Sequence, residues 1–472
     1  MPLTLHLPGG SLEFHQRKPP GVRLITDCMD RESQQRNRER HAWMAFNECA
    51  SALEMNRLAV ELRPRPRDED TAFSGDYDFL IDPDRFGEIV QLFFRICTGH
   101  NVSFQVWRRA VFKNRIILLT LGGKQIVLEF WPHAELTKVA PRKGESFLTY
   151  RGFCDAADAG YKEETLALLF ICHLFFKGKD LSDSQNRWRL GEFARRMDAI
   201  PGEGGERASL AGDVRNLLEG IISQDLALGQ ANRIAIDLLN RNHIRLATGS
   251  EAWRSRMQAK AGRILRGWGG RIVPCVGPDG SGKTHFISEV MELVEKHSIN
   301  ATSIRFKNLY RKNRIYAWIN KRFRIRHDLP KNTADERLAP ILYWAALPAY
   351  GWAILKNLNR KAVFMDRFFL EFMVRGYRED GDGEIRQMRG YWFLSRLIPG
   401  PRKMIVLAAS NKLIVSRKAE LSGEAIRDFY NRYITFAIGR RVSCVLFMNT
   451  HHSGSELAEC SLRELSLLKP NP

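Results

Sequence analysis

Apolar residues recur along this chain with two different periods. From His41 to Leu62 they return every three to four positions, which predicts a helix. Four shorter apolar or alternating runs follow, Phe79–Ile81, Ser103–Val106, Ile116–Leu121 and Ile126–Trp131, and predict strands, the last two joined across Gly122-Gly123. Helical spacing resumes in Glu163–Phe176, Gln185–Met197, Leu210–Leu228 and Ile234–Asn240, with Pro201-Gly202-Glu203-Gly204-Gly205 as an interrupting loop. A polar, basic stretch, Ala247–Gly270, leads to compact apolar runs at Arg271–Val276, Ala362–Met365 and Lys403–Ala408, which alternate with helical segments such as Gly423–Phe436. Strands buried on both faces read as continuous apolar runs, so this last part predicts a parallel sheet covered on both sides. The expected organisation is an α+β region over residues 1–150, a helical region over 151–250 and an α/β region over 255–472. No internal repeat or low-complexity tract interrupts it.

Composition narrows the class. The chain has 472 residues, 44% of them hydrophobic, enough for two or three globular cores and inconsistent with disorder. Its first ten residues lack the charged start and apolar run of a secretory signal. The eight cysteines are scattered without a C-x-x-C pair, which speaks against a disulfide framework or a zinc site and fits a reducing, cytoplasmic setting. Leu338–Leu355 is free of charge but carries Pro340 and Pro348, so a buried or interfacial helix is expected there and no membrane span. Net charge is +20, from 73 basic and 53 acidic residues. Such a surface attracts phosphate-rich partners, but the excess is dispersed and no nucleic-acid module is recognisable, so nucleic acid is not the favoured partner.

The strongest chemical signal is Gly277-Pro278-Asp279-Gly280-Ser281-Gly282-Lys283-Thr284, a complete G-x-x-x-x-G-K-T loop between an apolar run and a helical segment. Glycines let the backbone curl so that its N–H groups converge on phosphate oxygens, and the following helix adds the positive end of its dipole. Lys283 supplies a mobile charge for the β- and γ-phosphates, and the Thr284 hydroxyl is the expected Mg²⁺ ligand. ATP and Mg²⁺ are thus the expected cofactors.

Downstream, an apolar run ends in Asp366-Arg367. A carboxylate and a guanidinium at the carboxyl end of a parallel strand stand where open α/β sheets bind ligands. Asp366 can hold Mg²⁺ through water or accept a proton, and Arg367 can grip an acceptor anion. After Lys403–Ala408 comes Arg417-Lys418-Ala419-Glu420, basic residues suited to closing over a nucleotide. Together the loop at 277–284, the Asp-Arg pair and the Arg-Lys-x-Glu segment resemble the thymidylate kinase-like branch of P-loop nucleoside monophosphate kinases, over roughly residues 270–445. The resemblance implies that Lys283 and Thr284 bind ATP and Mg²⁺, Asp366 serves the chemistry, Arg367 contacts the acceptor and Arg417 closes on the nucleotide. Phe368-Phe369-Leu370 follows where that family has tyrosine and small polar residues, and Pro401-Arg402 replaces its Pro-Asp, so an acceptor other than dTMP is expected.

A second constellation is Ser74-Gly75-Asp76-Tyr77-Asp78. Alternate strand residues share a face, so Asp76 and Asp78 point the same way, and paired carboxylates of this kind ligate Mg²⁺ in nucleotidyl transfer. Glu129, in a later strand, can supply a third acid. The pattern resembles the nucleotidyltransferase palm over about residues 55–135. A nucleotidyltransferase-like front and a thymidylate kinase-like back resemble two-domain proteins of bacterial surface-polysaccharide gene sets. The combined expectation is an ATP-dependent phosphotransferase acting on a phosphate-bearing or hydroxyl small molecule, nucleotide, sugar or glycan. The alternatives are a nucleotide-gated polymer- or nucleic-acid-binding protein, or nucleotidyl transfer through the acidic pair.

Overall fold

The computed structural model describes residues 20–62, 76–110, 113–121, 124–131, 146–179, 183–200, 206–242, 271–305, 359–366, 401–417, 422–439 and 442–468, with isolated short stretches elsewhere. Ten strands form its main sheet. In chain order they are β1 (Ala59–Glu61), β2 (Asp76–Ile81), β3 (Ser103–Ala110), β4 (Lys113–Leu119), β5 (Gln125–Trp131), β6 (Ile272–Val276), β7 (Ala301–Arg305), β8 (Ala362–Asp366), β9 (Lys403–Ala408) and β10 (Cys444–Asn449). Across the sheet the order is β7-β8-β6-β9-β10-β3-β4-β5-β2-β1.

The five strands β7, β8, β6, β9 and β10 are mutually parallel. Their partner, β3, runs antiparallel to β10, with Phe104 opposite Phe447 and Val106 opposite Val445. Antiparallel pairing continues through β4 and β5, and β2 returns parallel to β5. The fold is therefore mixed α/β. Residues from the first and last thirds of the chain share one sheet, which no local sequence pattern announces, because the β3–β10 pairing joins segments more than three hundred residues apart. The Phe104 and Phe447 rings stack across this seam at 4.5 Å.

Helices pack on both faces. Along β9, Met404 and Val406 point to one side and Ile405 and Leu407 to the other, as strand alternation requires. The first side is covered by α1 (Pro20–Met55), α2 (Phe86–Gly99), α9 (Asn411–Arg417) and α10 (Gly423–Gly439). In α10 the residues Ile426, Tyr430, Ile434 and Ala437 form the buried stripe. The opposite side is covered by α8 (Lys283–Lys296) and α11 (Gly454–Glu464). A separate helical core is built by α3 (Tyr150–Asp158), α4 (Lys162–Lys177), α5 (Ser184–Asp198), α6 (Glu206–Ile222) and α7 (Leu228–Arg241). Its central helix, α4, is buried continuously from Leu166 to Cys172, and Gly178 ends it in the left-handed conformation at φ 54°.

In two places a turn interrupts a helix that the sequence expectation runs through. The helix expected over 41–62 ends at Met55, where Arg57 turns to φ 49° and the chain continues as edge strand β1. The helix expected over 210–228 stops at Ile222, Gln224 turns to φ 67°, and a new helix begins at Leu228. In both places an apolar period runs on through a turn, because the residues on either side bury against the same core. Among the described residues no helix is long and apolar enough to cross a membrane. The Leu338–Leu355 run lies almost wholly outside them, as do Arg367, Ser74-Gly75 and Lys418–Glu420. The cysteines at 49, 97, 154, 172, 275, 444 and 460 are free thiols.

Candidate functional site

The G-x-x-x-x-G-K-T segment connects the central parallel strand β6 to α8. Every residue of β6 is buried, and its two neighbours, β8 and β9, are also parallel to it. The loop thus opens at the carboxyl edge of the sheet, between strands whose connections leave in different directions. Gly280 and Gly282 adopt φ 90° and 86°, a region L side chains enter only at a cost. Gly277 is required for a different reason. A Cβ there would stand 2.5 Å from Ser281 Oγ and 3.1 Å from the Leu407 carbonyl oxygen.

Lys283, only 8% exposed, curls back over the loop. Its Nζ donates to the Gly277 carbonyl at 2.7 Å and the Pro278 carbonyl at 2.8 Å, and Asp279 Oδ1 lies 3.6 Å away. Ser281 is fully buried, and its hydroxyl has no hydrogen-bond partner among the described residues. Thr284 occupies the exposed second position of α8. Arg417, the last residue of α9, reaches across to donate from Nη1 to the Gly280 carbonyl at 3.4 Å. Residues 137 positions apart thereby meet over the loop.

Asp366 ends β8, in register with Cys275 of β6, two residues before Gly277. One of its carboxylate oxygens is buried without a hydrogen-bond partner among the described residues. A buried carboxylate oxygen in that condition is costly unless a cation or donor completes it. Burial, and then the nearby Asp366 charge, push the Cys275 thiol well above its ordinary range, so Cys275 is a neutral core residue. The Asp366 oxygen, the buried Ser281 hydroxyl and the packed-in Gly277 fit a phosphate chain with an accompanying cation.

One hydrogen-bonding residue at this edge escapes a sequence reading. The Tyr430 hydroxyl on α10 donates to the Leu407 carbonyl at 2.9 Å and accepts from the Ala409 amide at 3.3 Å. It thereby fixes the strand end against which Gly277 packs. The helical stripe marks Tyr430 as buried, but nothing local shows where its hydroxyl goes.

The acidic constellation lies elsewhere on the sheet. Asp78 of β2 stands directly opposite Glu129 of β5. Both are buried, and Asp76 is half-exposed. Arg115 of β4 pairs with Glu129 (Nη2–Oε1 2.5 Å) and approaches Asp76 Oδ2 at 3.9 Å, while Trp131 Nε1 donates to Asp78 Oδ1 at 2.9 Å. These three carboxylates are thus held by a guanidinium and an indole. Among the described residues no group of three or more His, Cys, Asp or Glu side chains converges to hold a metal ion. Arg115 is the residue that the sequence reading missed. Its position two residues before Ile117 puts it on the acids' face by strand alternation. Six inter-strand steps of about 4.8 Å separate β2 from β6, so the two constellations stand roughly 29 Å apart along one sheet.

The fold and the loop together define a mixed α/β protein with a glycine-rich loop and its lysine at the carboxyl edge of a central parallel strand. No family model matches the sequence, and no curated protein shows significant similarity to it.

Proposed function

We propose that this chain is an ATP-dependent phosphotransferase, a P-loop kinase whose acceptor is a nucleotide, sugar or glycan-type molecule other than dTMP. The observation that supports it best is the gathering of Lys283, Asp366 and Arg417 from three separate segments around one loop at the sheet edge. The loop amides of Gly280–Thr284 and the α8 N-terminus would hold the β- and γ-phosphates. Lys283 would exchange its two loop carbonyls for phosphate oxygens and follow the charge that develops during transfer. Thr284 and Asp366 are the residues that would hold Mg²⁺, which when bound neutralises phosphate charge. Arg417, already over the loop, would close on the triphosphate and exclude water. Arg367 follows Asp366 directly in sequence and is assigned to the acceptor.

The test is ATP consumption by purified protein with and without a bacterial metabolite or glycan fraction. The fraction should stimulate turnover, and Lys283→Ala should abolish the increment. Failure of every acceptor to stimulate turnover would remove the assignment.

Nucleotidyl transfer at Asp76, Asp78 and Glu129 draws support from the register that sets Asp78 opposite Glu129. The pairing of Glu129 with Arg115 favours a charge-compensated structural cluster instead. Incorporation of labelled nucleotide, lost in Asp78→Asn but kept in Lys283→Ala, would establish the transferase.

A further inference from the structure

A cavity of about 200 Å³ lies where α1, the α2–β3 turn, the end of β4 and the β10–α11 turn meet. It opens at the same sheet edge as the phosphate loop, since β10 is parallel to β9 and β6 and the turn follows its carboxyl end. One face of α1 lines it with polar groups at helical spacing, Gln34, Asn37, Arg38 and His41. Three more imidazoles, of His100, His451 and His452, complete the wall.

The charge pattern is one-sided. No Asp or Glu is among the residues lining the cavity. Carboxylates outside the lining hold two of its side chains: Glu456 accepts from Arg38 at 2.7 Å, and Glu48 lies 2.7 Å from His100 Nε2. Thr120 lines the β4 side, where Lys124 is paired with Glu39. His41 Nδ1 is buried without a hydrogen-bond partner among the described residues. His452 Nε2 is 2.8 Å from the Asn101 carbonyl, so it carries the proton of the neutral ring and its Nδ1 becomes a second donor only when the ring is charged. Burial holds His452 below the ordinary imidazole range; the Asn101 carbonyl and the Glu456 carboxylate oppose this, and Arg38 and His451 add to the lowering. A bound anion is the partner that offsets both effects.

We propose that this cavity is a second, pH-dependent binding site for a phosphate-bearing small molecule, with Arg38, His41 and His452 on the phosphate and Gln34 and Asn37 on its polar body. Several donors converging from different elements suit a tetrahedral dianion better than a planar carboxylate. The volume is room for a phosphate and further heavy atoms beside it. The site adjoins the phosphate-loop helix. Gly454, two residues beyond His452, lies so close to α8 that a Cβ would meet His285 Nε2 and Glu289 Cγ at 3.0 Å. A ligand that orders the β10–α11 turn would therefore bear on the first turns of α8.

The experiment uses full-length Lys283→Ala protein, in which the lysine charge of the 277–284 loop is removed, and the cavity variants separate any anion held by the loop amides. Inorganic phosphate is titrated by calorimetry, and the imidazole carbon resonances are followed by NMR. One site is expected, about tenfold or more tighter near pH 6 than near pH 8 when affinity is referred to the phosphate dianion, whose share falls with pH, as the bound anion draws a proton onto His452. Arg38→Gln and His452→Gln should each weaken it about tenfold. His41→Gln serves as a third variant should either of these fail to fold. Absence of heat and of imidazole shifts near pH 6, or an affinity unchanged in the folded variants, would overturn the site. Acetate binding as tightly as phosphate would overturn the assignment to phosphate.

Discussion

Gly277→Ala probes the phosphate loop most sharply, because its consequence can be worked out from atoms in place. The added methyl would fall 2.5 Å from Ser281 Oγ, 3.2 Å from Ser281 Cβ and 3.1 Å from the Leu407 carbonyl. The Ser281 hydroxyl can rotate away, but its Cβ cannot. The Leu407 carbonyl is backbone within β9 and is pinned by the Tyr430 hydroxyl at 2.9 Å. The loop must therefore shift as a body, and overpacking of this kind costs about 1–3 kcal/mol. In equilibrium terms that is roughly 5- to 150-fold. Melting should fall by several degrees, and affinity for a non-hydrolysable ATP analogue, read by calorimetry, should fall by about fivefold or more. Gly282→Ala is the control. Its methyl would meet nothing nearer than Arg417 Nη1 at 3.7 Å, so only the positive φ of 86° opposes it, at about 1–2 kcal/mol. Wild-type melting and analogue affinity in Gly277→Ala would refute the packing described for the loop.

Asp366→Asn should leave analogue binding within a fewfold of wild type while reducing phosphoryl transfer about a hundredfold or more, as pre-steady-state kinetics would show; equal losses in both would make Asp366 a binding residue only. Arg115→Met, which strands the buried Glu129 carboxylate, should cost about 3 kcal/mol in denaturant unfolding, and adding Glu129→Gln should recover much of that loss. Stability should also depend on pH through the β10–α11 turn. Because His452 has a depressed pKa in the folded state, the unfolded chain binds the extra proton, so stability falls as pH drops below about 6.5 until the folded-state value is reached. Burial pushes the Glu456 carboxyl up, but its hydrogen bond to Arg38 and the Arg38 charge outweigh this, and the net shift is down. That contribution is present above about pH 4.5 and lost as pH falls through the lower folded value. Phosphate should blunt the first loss, and His452→Gln should remove it, both measurable by thermal melts across pH.

What is legible in the sequence follows from where the information resides. β6, β8 and β9 can be read directly, since a central parallel strand is apolar at nearly every position and its ends coincide with the loop and with Asp366. The glycines at 277, 280 and 282 mark the tight turn of this loop because no other residue satisfies both the close approach to Leu407 and the positive φ angles. The seam between β3 and β10 is not legible. Phe104 and Phe447 are unremarkable apolar residues until their strands pair. Nor does spacing reveal that Arg115 would sit on Glu129, or that one polar face of α1 would close a histidine-lined cavity with residues more than four hundred positions away. These features arise from tertiary pairing, which local periodicity does not encode.

The central claim is phosphoryl transfer from ATP at the 277–284 loop. It is tested most directly by incubating wild-type and Lys283→Ala protein with ATP, Mg²⁺ and a mixture of nucleotides, sugars and glycan fragments, then searching by mass spectrometry for acceptors that gain one phosphoryl group. A phosphorylated acceptor made by the wild type and absent with Lys283→Ala is the predicted result. No product from either protein, or the same product from both, would contradict it.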